Sequence, residues 1–327
     1  MSYPIQDKLV IGVASSALFD LSDSNQVFEQ EGVAAYRKYQ QKHLNKRLPK
    51  GVAFPFIRRF LSINQVFPEL QPVEVVLLSR NSPETGLRVF RSIEHYGLEI
   101  TRAAFLGGGS PHEFIDAFNA SLFLSANQTD VEQAIANGFP AGLVLPGTVE
   151  DNEQDLELRV AFDFDGVIAD DESEAVYKTN DLATFQAHEL KKQDIPHSPG
   201  PLANLFRKLS HLQQLERELP ALQQEQGKIL RVSIVTARGA PAHERVLTTL
   251  RDWGVETDEA FFLGGMEKLR VLDVLKPHIF FDDQLSHLQA GQSGIPMVHI
   301  PFGIANHQKN PATEPATAEP SLQTTET

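Results

Sequence analysis

The chain has 327 residues, of which 41% are hydrophobic and 22% charged, as is typical of a soluble globular protein with a sizeable core. At about 150 residues per domain, this length predicts two domains. The 43 acidic and 29 basic residues give a net charge of −14, which argues against nucleic acid or an anionic membrane as a partner. Cysteine is absent, which excludes disulfide bonds, thiolate metal sites and a cysteine nucleophile.

The first half of the chain is predicted to recur in the second half. The segment Gly97–Gly108, GLEITRAAFLGG, matches Gly254–Gly265, GVETDEAFFLGG, at seven of twelve positions, where chance gives about one. The offset between matching positions is 149 early in the copies and 157 later, which indicates an eight-residue insertion near residues 213–227. Because the matches keep their order, we interpret them as an ancient duplication rather than as two domains with generic strand–turn–helix patterns.

The boundary between the two copies is predicted in the acidic stretch Glu150–Glu157. We therefore expect a first domain over residues 1–150 and a second over residues 151–305. Residues 306–327 are rich in Pro, Thr, Ala and Glu, so we expect a disordered tail there.

The second copy alternates between strand and helix patterns. Apolar runs predict strands over Leu158–Phe162, Ile229–Val235, Ala260–Leu263, His278–Phe281 and Pro296–Ile300. Apolar spacing and stop signals predict helices over Glu172–His188, Leu202–Leu215, Ala242–Trp253, Glu267–Leu275 and Ser286–Ser293. This alternation predicts an α/β fold whose parallel sheet is covered by helices on both faces. Such folds bind ligands beyond the carboxyl ends of their strands.

Acidic, hydroxyl and basic residues that could bind a phosphate group or a metal ion lie at or after these strand ends. With the intervening Ala237, they are Asp163, Asp165, Thr236, Arg238, Lys268, Asp282 and Asp283. If the strands are neighbours, several carboxylates and one ammonium group meet at one edge of the sheet. Carboxylates without Cys or His suit a hard cation such as Mg²⁺.

Such an edge can perform phosphoryl chemistry. Beside a cation, Asp163 stays ionised and nucleophilic, and Asp165 can act as a general acid and then as a general base. The Thr236 hydroxyl and the backbone N–H groups that follow it can hold phosphate oxygens, and Lys268 can balance their charge. Each residue alone has a simpler interpretation as a turn, a helix cap or a solvated side chain. Their joint occurrence at strand ends favours a site.

The motifs AFDFDGVIAD, IVTAR, Lys268 and FFDDQ resemble the signatures of the haloacid-dehalogenase-like phosphohydrolase superfamily. Over most of residues 8–303, segments such as GVAFPFIRRF, LRDWGVETDEAFFLGG and LKPHIFFDDQLSH are similar to the cytosolic 5'-nucleotidase type I family. This resemblance implies Mg²⁺-dependent hydrolysis of nucleoside 5'-monophosphates, notably AMP and some deoxynucleotides. Together with the repeat, it predicts two tandem Rossmann-like halves with parallel sheets flanked by helices.

The resemblance also implies roles for individual residues. Asp163 would be the nucleophile and Asp165 the acid/base, while Thr236 and Lys268 would bind phosphate. Asp163, the backbone carbonyl of Asp165, and Asp282 would ligate Mg²⁺, with Asp283 in support. The first motif reads FDFDGV where animal members read closer to FDGDAV, a departure that keeps both aspartates. Arg238 is a candidate for the phosphate or the ribose, or for a salt bridge to Asp170 or Asp171.

The first copy lacks the catalytic groups. The matching positions carry Ala14, Ser16, Ser79, Pro111, Ser125 and Ala126. We therefore expect a degenerate N-terminal half that has lost its metal site. It is either a structural remnant or a half that completes the pocket, stabilises a dimer or binds a regulatory nucleotide. The polar stretches Ser15–Ser16 and Ser79–Asn81 keep a binding role open.

Residues 170–200 are predicted to form a small helical cap over the active site. Tyr177, Phe185 and His188 lie there at roughly helical spacing. An aromatic ring can stack on a nucleobase and His188 can bond its edge, whereas the alternative is that Tyr177 and Phe185 anchor the cap to the core.

The predicted function is therefore a Mg²⁺-dependent 5'-nucleotidase whose partner is a nucleoside monophosphate. The alternatives are a phosphatase or phosphotransferase for another small phosphorylated metabolite, and a non-catalytic nucleotide sensor, which the intact catalytic set disfavours. The longest apolar stretches, such as Val73–Leu78, are too short to cross a bilayer. We expect a cytoplasmic homo-oligomer without membrane or nucleic-acid partners.

Overall fold

A single sheet runs through both halves of the chain. The computed structural model describes residues 3–220, 227–288 and 294–306. The sheet contains β1 Leu9–Val13, β2 Val73–Ser79, β3 Arg102–Phe105, β4 Ala120–Ser125, β5 Ala141–Val144, β6 Leu158–Phe162, β7 Leu230–Thr236, β8 Glu259–Phe262, β9 Ile279–Asp282 and β10 Met297–His299.

Helices connect the strands. They are α1 Ser15–Leu18, α2 Ser22–Lys42, α3 Phe54–Val66, α4 Pro83–His95, α5 Gln128–Ala136, α6 Glu172–Thr179, α7 Leu182–Lys191, α8 Ala203–Arg217, α9 His243–Asp252 and α10 Leu269–Leu275. Shorter 3₁₀ turns occur at Ile5–Asp7, Pro111–Phe114 and Leu285–His287. None of the helices in the described chain is both long and apolar enough to span a bilayer.

The strand order is the same in each half. It runs β3-β2-β1-β4-β5-β10-β9-β6-β7-β8, so β6 to β10 take the places of β1 to β5 in the opposite direction along the sheet. Neighbouring strands in this order pair in parallel except for β5 and β10, which are antiparallel with Val298 opposite Val144. The sequence predicted a separate parallel sheet for each half, whereas the structure joins both into one mostly parallel sheet.

The strands are apolar because helices cover both faces of the sheet. Every residue of β1, β2, β4 and β9 is buried, the pattern of parallel strands that contact helices on each side. Phe162 of β6, for example, stacks on Phe281 of β9 at 5.0 Å between ring centroids and meets Phe206 of α8 edge-on at 5.5 Å. These rings form part of the core beneath the carboxyl ends of the strands.

Individual contacts also recur in the two halves. In the first half, Arg88 Nη1 of α4 donates to Gln40 Oε1 of α2 at 3.0 Å. In the second half, Arg245 Nη1 of α9 donates to Glu189 Oε1 of α7 at 3.1 Å. Arg88 and Arg245 are 157 positions apart, and Gln40 and Glu189 are 149 apart, which are the two offsets of the sequence repeat.

Two predicted elements differ from the structure. The helix predicted over Glu172–His188 is divided into α6 and α7, because Asn180 is extended and Asp181 caps α7 by accepting the N–H of Thr184 at 2.8 Å. The helix predicted over Ser286–Ser293 begins as a 3₁₀ turn, and residues 289–293 lie outside the described chain. The predicted tail also lies outside it from residue 307 onward.

Candidate active site

The carboxyl ends of β6 and β9 bring three aspartates together with a buried lysine. Because β6 pairs with β9, Asp163 at the end of one strand lies beside Asp282 and Asp283 at the end of the other. Lys268 Nζ, at the start of α10, lies 2.7 Å from Asp163 Oδ2 and 2.6 Å from Asp282 Oδ2. Lys268 is 4% exposed, so it is not a solvated surface residue.

Burial shifts the pKa values of these groups. Burial raises the pKa of Asp163 to about 7, and the nearby Lys268 offsets only part of that rise. Burial acts in the same direction on Asp282, but Lys268 and His287 outweigh it and hold its pKa below the usual value. Burial alone would lower the pKa of Lys268, yet its contacts with Asp163 and Asp282 raise it above the usual value. Lys268 is therefore firmly charged.

Asp283 is a buried carboxyl group whose ionised form nothing in the described chain stabilises. Neither carboxylate oxygen of Asp283 has a hydrogen-bond partner among the described residues. Burial, reinforced by Asp163 and Glu174, raises its pKa to about 11. Gly166 permits this close approach, because its φ is +70° and a Cβ atom would lie 2.6 Å from Asp283 Oδ2. An additional positive charge would stabilise this corner of the site.

His287 is a further candidate ligand that the sequence reasoning did not identify. Its Nδ1 lies 3.2 Å from each carboxylate oxygen of Asp282. Asp163, Asp282 and His287 each offer a ligand atom, and these atoms lie within 4.8 Å of one another. His287 ends the LKPHIFFDDQLSH segment, so its nearness to Asp282 in sequence was the available signal. This set is close enough to share a metal ion.

Asp165 faces a different partner from Asp163. The segment Phe164–Ile168 is an irregular turn in which Asp165 has an extended backbone, at φ −70° and ψ 134°, and Gly166 has a positive φ of 70°. Arg238 holds the Asp165 carboxylate in a fork, with Nε 2.7 Å from Oδ2 and Nη2 2.6 Å from Oδ1. The turn thus separates the two aspartates of the D-x-D motif into two environments.

Arg238 does not form the predicted salt bridge to Asp170 or Asp171. Its guanidinium group binds Glu189 of α7 in addition to Asp165. Glu189 belongs to α7 and is fully buried. Because a buried carboxylate requires a counter-charge, Glu189 binds the guanidinium group of Arg238. The guanidinium group is therefore committed to two carboxylates.

Glu189 is a second residue that the sequence reasoning missed. It binds Arg238 and Arg245, and it accepts a hydrogen bond from Ser173 at 2.7 Å. Burial works to raise its pKa, but His197, Arg238 and Ser173 outweigh burial and hold it well below the usual value. A glutamate on a polar helix gives no sequence signal of burial, since the helix pattern does not show which side faces the sheet.

Thr236 and Ala237 form the turn after β7. Thr236 is buried, and its Oγ1 accepts the backbone N–H of Arg238 at 3.2 Å. Ala237 is exposed, and its carbonyl accepts the N–H of Gly265 at 3.0 Å. The turn lies at the same edge of the sheet as Asp163, because β7 pairs in parallel with β6.

The predicted cap residues are placed less closely around the carboxylates. Tyr177 is 52% exposed and meets the Phe185 ring edge-on at 5.8 Å. Phe185 also lies 5.7 Å from the guanidinium carbon of Arg238. His188 Nε2 lies 3.5 Å from Glu172 Oε1. The structure thus brings Phe185 to Arg238, and it places Tyr177 on α6 and His188 on α7.

Comparisons with known proteins address the family of this chain. A family model described as 5'-nucleotidase matches residues 1–307. Human cytosolic 5'-nucleotidase 1B is 35% identical over 293 residues, which is 88% of this chain and 48% of the human protein. The chain therefore spans about half the length of this curated relative.

A solved histidinol dehydrogenase from Elizabethkingia anophelis aligns with 88% of this chain at 9% identity, and the alignment covers 79% of the dehydrogenase chain. Its TM-score is 0.19, which is too low to show a shared fold. The family evidence rests instead on the matched 5'-nucleotidase model and on the human relative. By both, the chain belongs to the 5'-nucleotidase family.

Proposed function

We propose that the protein is a Mg²⁺-dependent 5'-nucleotidase that hydrolyses nucleoside 5'-monophosphates to a nucleoside and inorganic phosphate. The observation that carries this proposal is the buried Asp163 beside Lys268, Asp282 and Asp283 at one edge of the sheet. Family membership supports the same reaction class, and the name of the human relative supports a cytosolic location.

The residues present fit a divalent cation. Asp163 and Asp282 share a single lysine, and both oxygens of the third buried carboxyl group, Asp283, lack hydrogen-bond partners within the described chain. An oxygen-rich donor set of this kind suits Mg²⁺. We assign its ligands to Asp163, the backbone carbonyl of Asp165, Asp282 and Asp283, with His287 close to this set. When bound, the ion would neutralise the repulsion between these carboxylates and a phosphate group.

Asp163 acts as the nucleophile in this proposal. An oxygen of Asp163 forms a bond to phosphorus as the bond from phosphorus to the 5' oxygen breaks, which gives an aspartyl-phosphate. Asp165 donates a proton to the leaving 5' oxygen. Asp165 then takes a proton from water, which attacks phosphorus, releases phosphate and restores Asp163.

The turn after β7 and Lys268 hold the phosphate group. Lys268 lies 2.7 Å from Asp163, so it can stabilise the charge that develops on the transferred phosphoryl oxygens. The Thr236 hydroxyl and the backbone N–H of Ala237 can bind its oxygens, whereas the backbone N–H of Arg238 already donates to Thr236 Oγ1. The guanidinium group of Arg238 instead orients Asp165, since it already binds that carboxylate.

The cap helices α6 and α7 would contact the nucleoside. The exposed ring of Tyr177 offers a stacking surface, Phe185 lies beside it, and His188 can bond the edge of a base. We further propose that residues 1–150 and 151–305 are tandem haloacid-dehalogenase-like halves and that the first is catalytically degenerate. The shared strand order supports this division.

Phosphate release from a panel of nucleoside monophosphates and sugar phosphates tests the proposal. We expect nucleotides to be preferred, and we expect EDTA to abolish turnover. The variant Asp163→Asn should lose at least about a thousand-fold in kcat while keeping its fold, because an amide is not a nucleophile. The matched control is Asp273→Asn, which changes an exposed carboxylate on α10. Full activity of Asp163→Asn, or turnover of sugar phosphates alone, would contradict the proposal.

A further inference from the structure

The first half of the protein contains an open cleft at the position that matches the catalytic site. Its volume is about 1440 Å³, and it lies beyond the carboxyl ends of β1, β2 and β4. Ser16, Ser79 and Ala126, which occupy the sequence positions matching Asp165, Thr236 and Asp283, are among its lining residues. Most small-molecule sites measure roughly 300–1000 Å³, so this cleft is large enough for a nucleotide.

The part of the cleft floor that Ser15, Ser79 and Asn81 form is polar and uncharged, whereas Asp20, Asp130 and Asp151 line the cleft elsewhere. Ser15 Oγ lies 2.9 Å from Ser79 Oγ, and Asn81 Nδ2 donates to Ser15 Oγ at 3.2 Å. Tyr36 OH donates to Asn81 Oδ1 at 2.9 Å. A hydroxyl and amide floor offers hydrogen bonds to a ligand, but it supplies neither a nucleophilic carboxylate nor the oxygen set of a Mg²⁺ site.

An aromatic pair repeats beside the cleft. Phe28 and Tyr36 of α2 meet edge-on with ring centroids 5.9 Å apart, and both line the cleft. Tyr177 and Phe185, at the matching positions of the second half, meet edge-on at 5.8 Å. Phe28 is 48% exposed although it is a large apolar side chain. An exposed ring at the mouth of a polar cleft is a stacking surface for a flat aromatic ligand.

Cationic side chains also line this cleft. Arg37 is exposed on α2, and the side chains of Lys50 and Arg80 are 31% and 37% exposed. The last two also pair with acids, Lys50 with Asp151 and Arg80 with Asp130. Arg37 is therefore the residue best placed to attract an added anion.

From these observations we infer that the N-terminal cleft is a second ligand site, which binds a nucleoside phosphate without a metal ion and without hydrolysing it. The base stacks on Phe28, and the phosphate lies toward Arg37. The uncharged floor of Ser15, Ser79 and Asn81 bonds the polar groups between them. This site is separate from the proposed catalytic centre, so the intact chain would hold two nucleotide sites.

Equilibrium binding to the full-length protein in EDTA tests this inference. The probes are AMP, ADP, adenosine and inorganic phosphate. We expect AMP or ADP to bind more tightly than adenosine or phosphate alone, since the nucleotides use both contacts. Phe28→Ala should weaken binding of the nucleotides and of adenosine by about tenfold, the usual effect of losing a stacking ring. Arg37→Gln should weaken the nucleotides but leave adenosine unchanged.

The matched control is Tyr177→Ala, which removes the equivalent exposed ring from the second half. We expect it to leave the metal-free binding unchanged. Absence of nucleotide binding at about 1 mM would overturn the inference. So would binding that is lost in Tyr177→Ala and kept in Phe28→Ala. Since binding is measured without Mg²⁺ and without turnover, its failure is distinguishable from a failure of the nucleotidase proposal.

Discussion

Burial favours the uncharged forms of Asp283 and His278. Asp283 at the candidate site has a pKa raised to about 11, chiefly through burial. His278, next to β9, has a pKa lowered to about 3 by burial and then by Arg59 and Arg159. Its neutral ring accepts the backbone N–H of Arg159 through Nδ1 at 3.1 Å, which a protonated nitrogen cannot do. The protonation state of Asp283 affects the candidate site, whereas that of His278 affects the stability of the fold.

His278 should make the protein less stable in acid. Its pKa is about 3 in the folded state against an ordinary 6.5, so between these values the unfolded chain binds a proton that the folded chain does not. Stability is therefore lost as the pH falls through that window, by up to about 1.4 kcal/mol per pH unit from this residue. His278→Asn keeps an acceptor but does not titrate, so its urea unfolding free energy should fall less steeply with decreasing pH. Identical slopes for both proteins would contradict this assignment.

Helix α7 contacts the candidate active site through its buried residue Glu189. Glu189 binds Arg238, which holds Asp165, and it also binds Arg245 of α9. The equivalent helix in the first half makes the same contact with a neutral residue, because Gln40 binds Arg88. The second half has thus an ionic contact where the first half has a neutral one, and this ionic contact positions the proposed acid/base.

Replacing Glu189 with Gln should loosen the cap and displace Asp165. The amide keeps the shape of the side chain, but two buried arginines lose a shared counter-charge, which should cost about 2–4 kcal/mol of stability. We expect kcat to fall by about tenfold or more, because Arg238 loses a buried anchor and no longer holds Asp165 in a fixed position. Urea unfolding and phosphate-release kinetics measure the two effects. The reciprocal variant Gln40→Glu is the matched control, and it should affect kcat little. Unchanged stability and kcat in Glu189→Gln would exclude this role.

The elements themselves were more predictable than the contacts between them. Apolar runs with Gly and Pro punctuation located the second-half strands within one or two residues, because buried parallel strands are almost wholly apolar. The D-x-D motif and the Asp282–Asp283 pair could be identified because each directly follows such a run. Glu189 could not be assigned in this way, because its partners Arg238 and Arg245 are distant in sequence. His287 could not be assigned either, because the sequence does not specify the direction of the turn that brings it to Asp282. The break at Asn180 was missed because Asp181 resembles any polar helix residue.

At the scale of the whole molecule, contacts at the middle of the sheet and at the linker help to join the halves. The first is the antiparallel pair of β5 and β10 in the middle of the sheet. The second is the stretch predicted as a linker, in which Asp151 binds Arg58 and Arg59 of α3 at 2.9 and 2.8 Å. Burial tends to raise the pKa of Asp151, but these arginines outweigh it and lower the pKa to about 2. The linker is therefore fixed to the first half.

The junction of the sheet should tolerate no side chain at Gly142. A Cβ atom there would lie 2.4 Å from Cγ1 of Val298 on β10. Gly142→Val should therefore separate β5 from β10 and destabilise the protein by about 1–3 kcal/mol, with a broader unfolding transition as the halves uncouple. Calorimetry measures both effects. Gly147→Val is the matched control, because a Cβ at Gly147 meets no atom within 4 Å. Equal melting curves for the two variants would show that the junction is not tightly packed.

The antiparallel junction has a consequence for fragments of this protein. If the chain were cut within residues 150–157, each piece would present β5 or β10 as a bare edge with unsatisfied amide and carbonyl groups. Such an edge is a template for another strand, so a truncated half would capture a second copy of itself and precipitate or dimerise artificially. Each half thus protects the other from self-association.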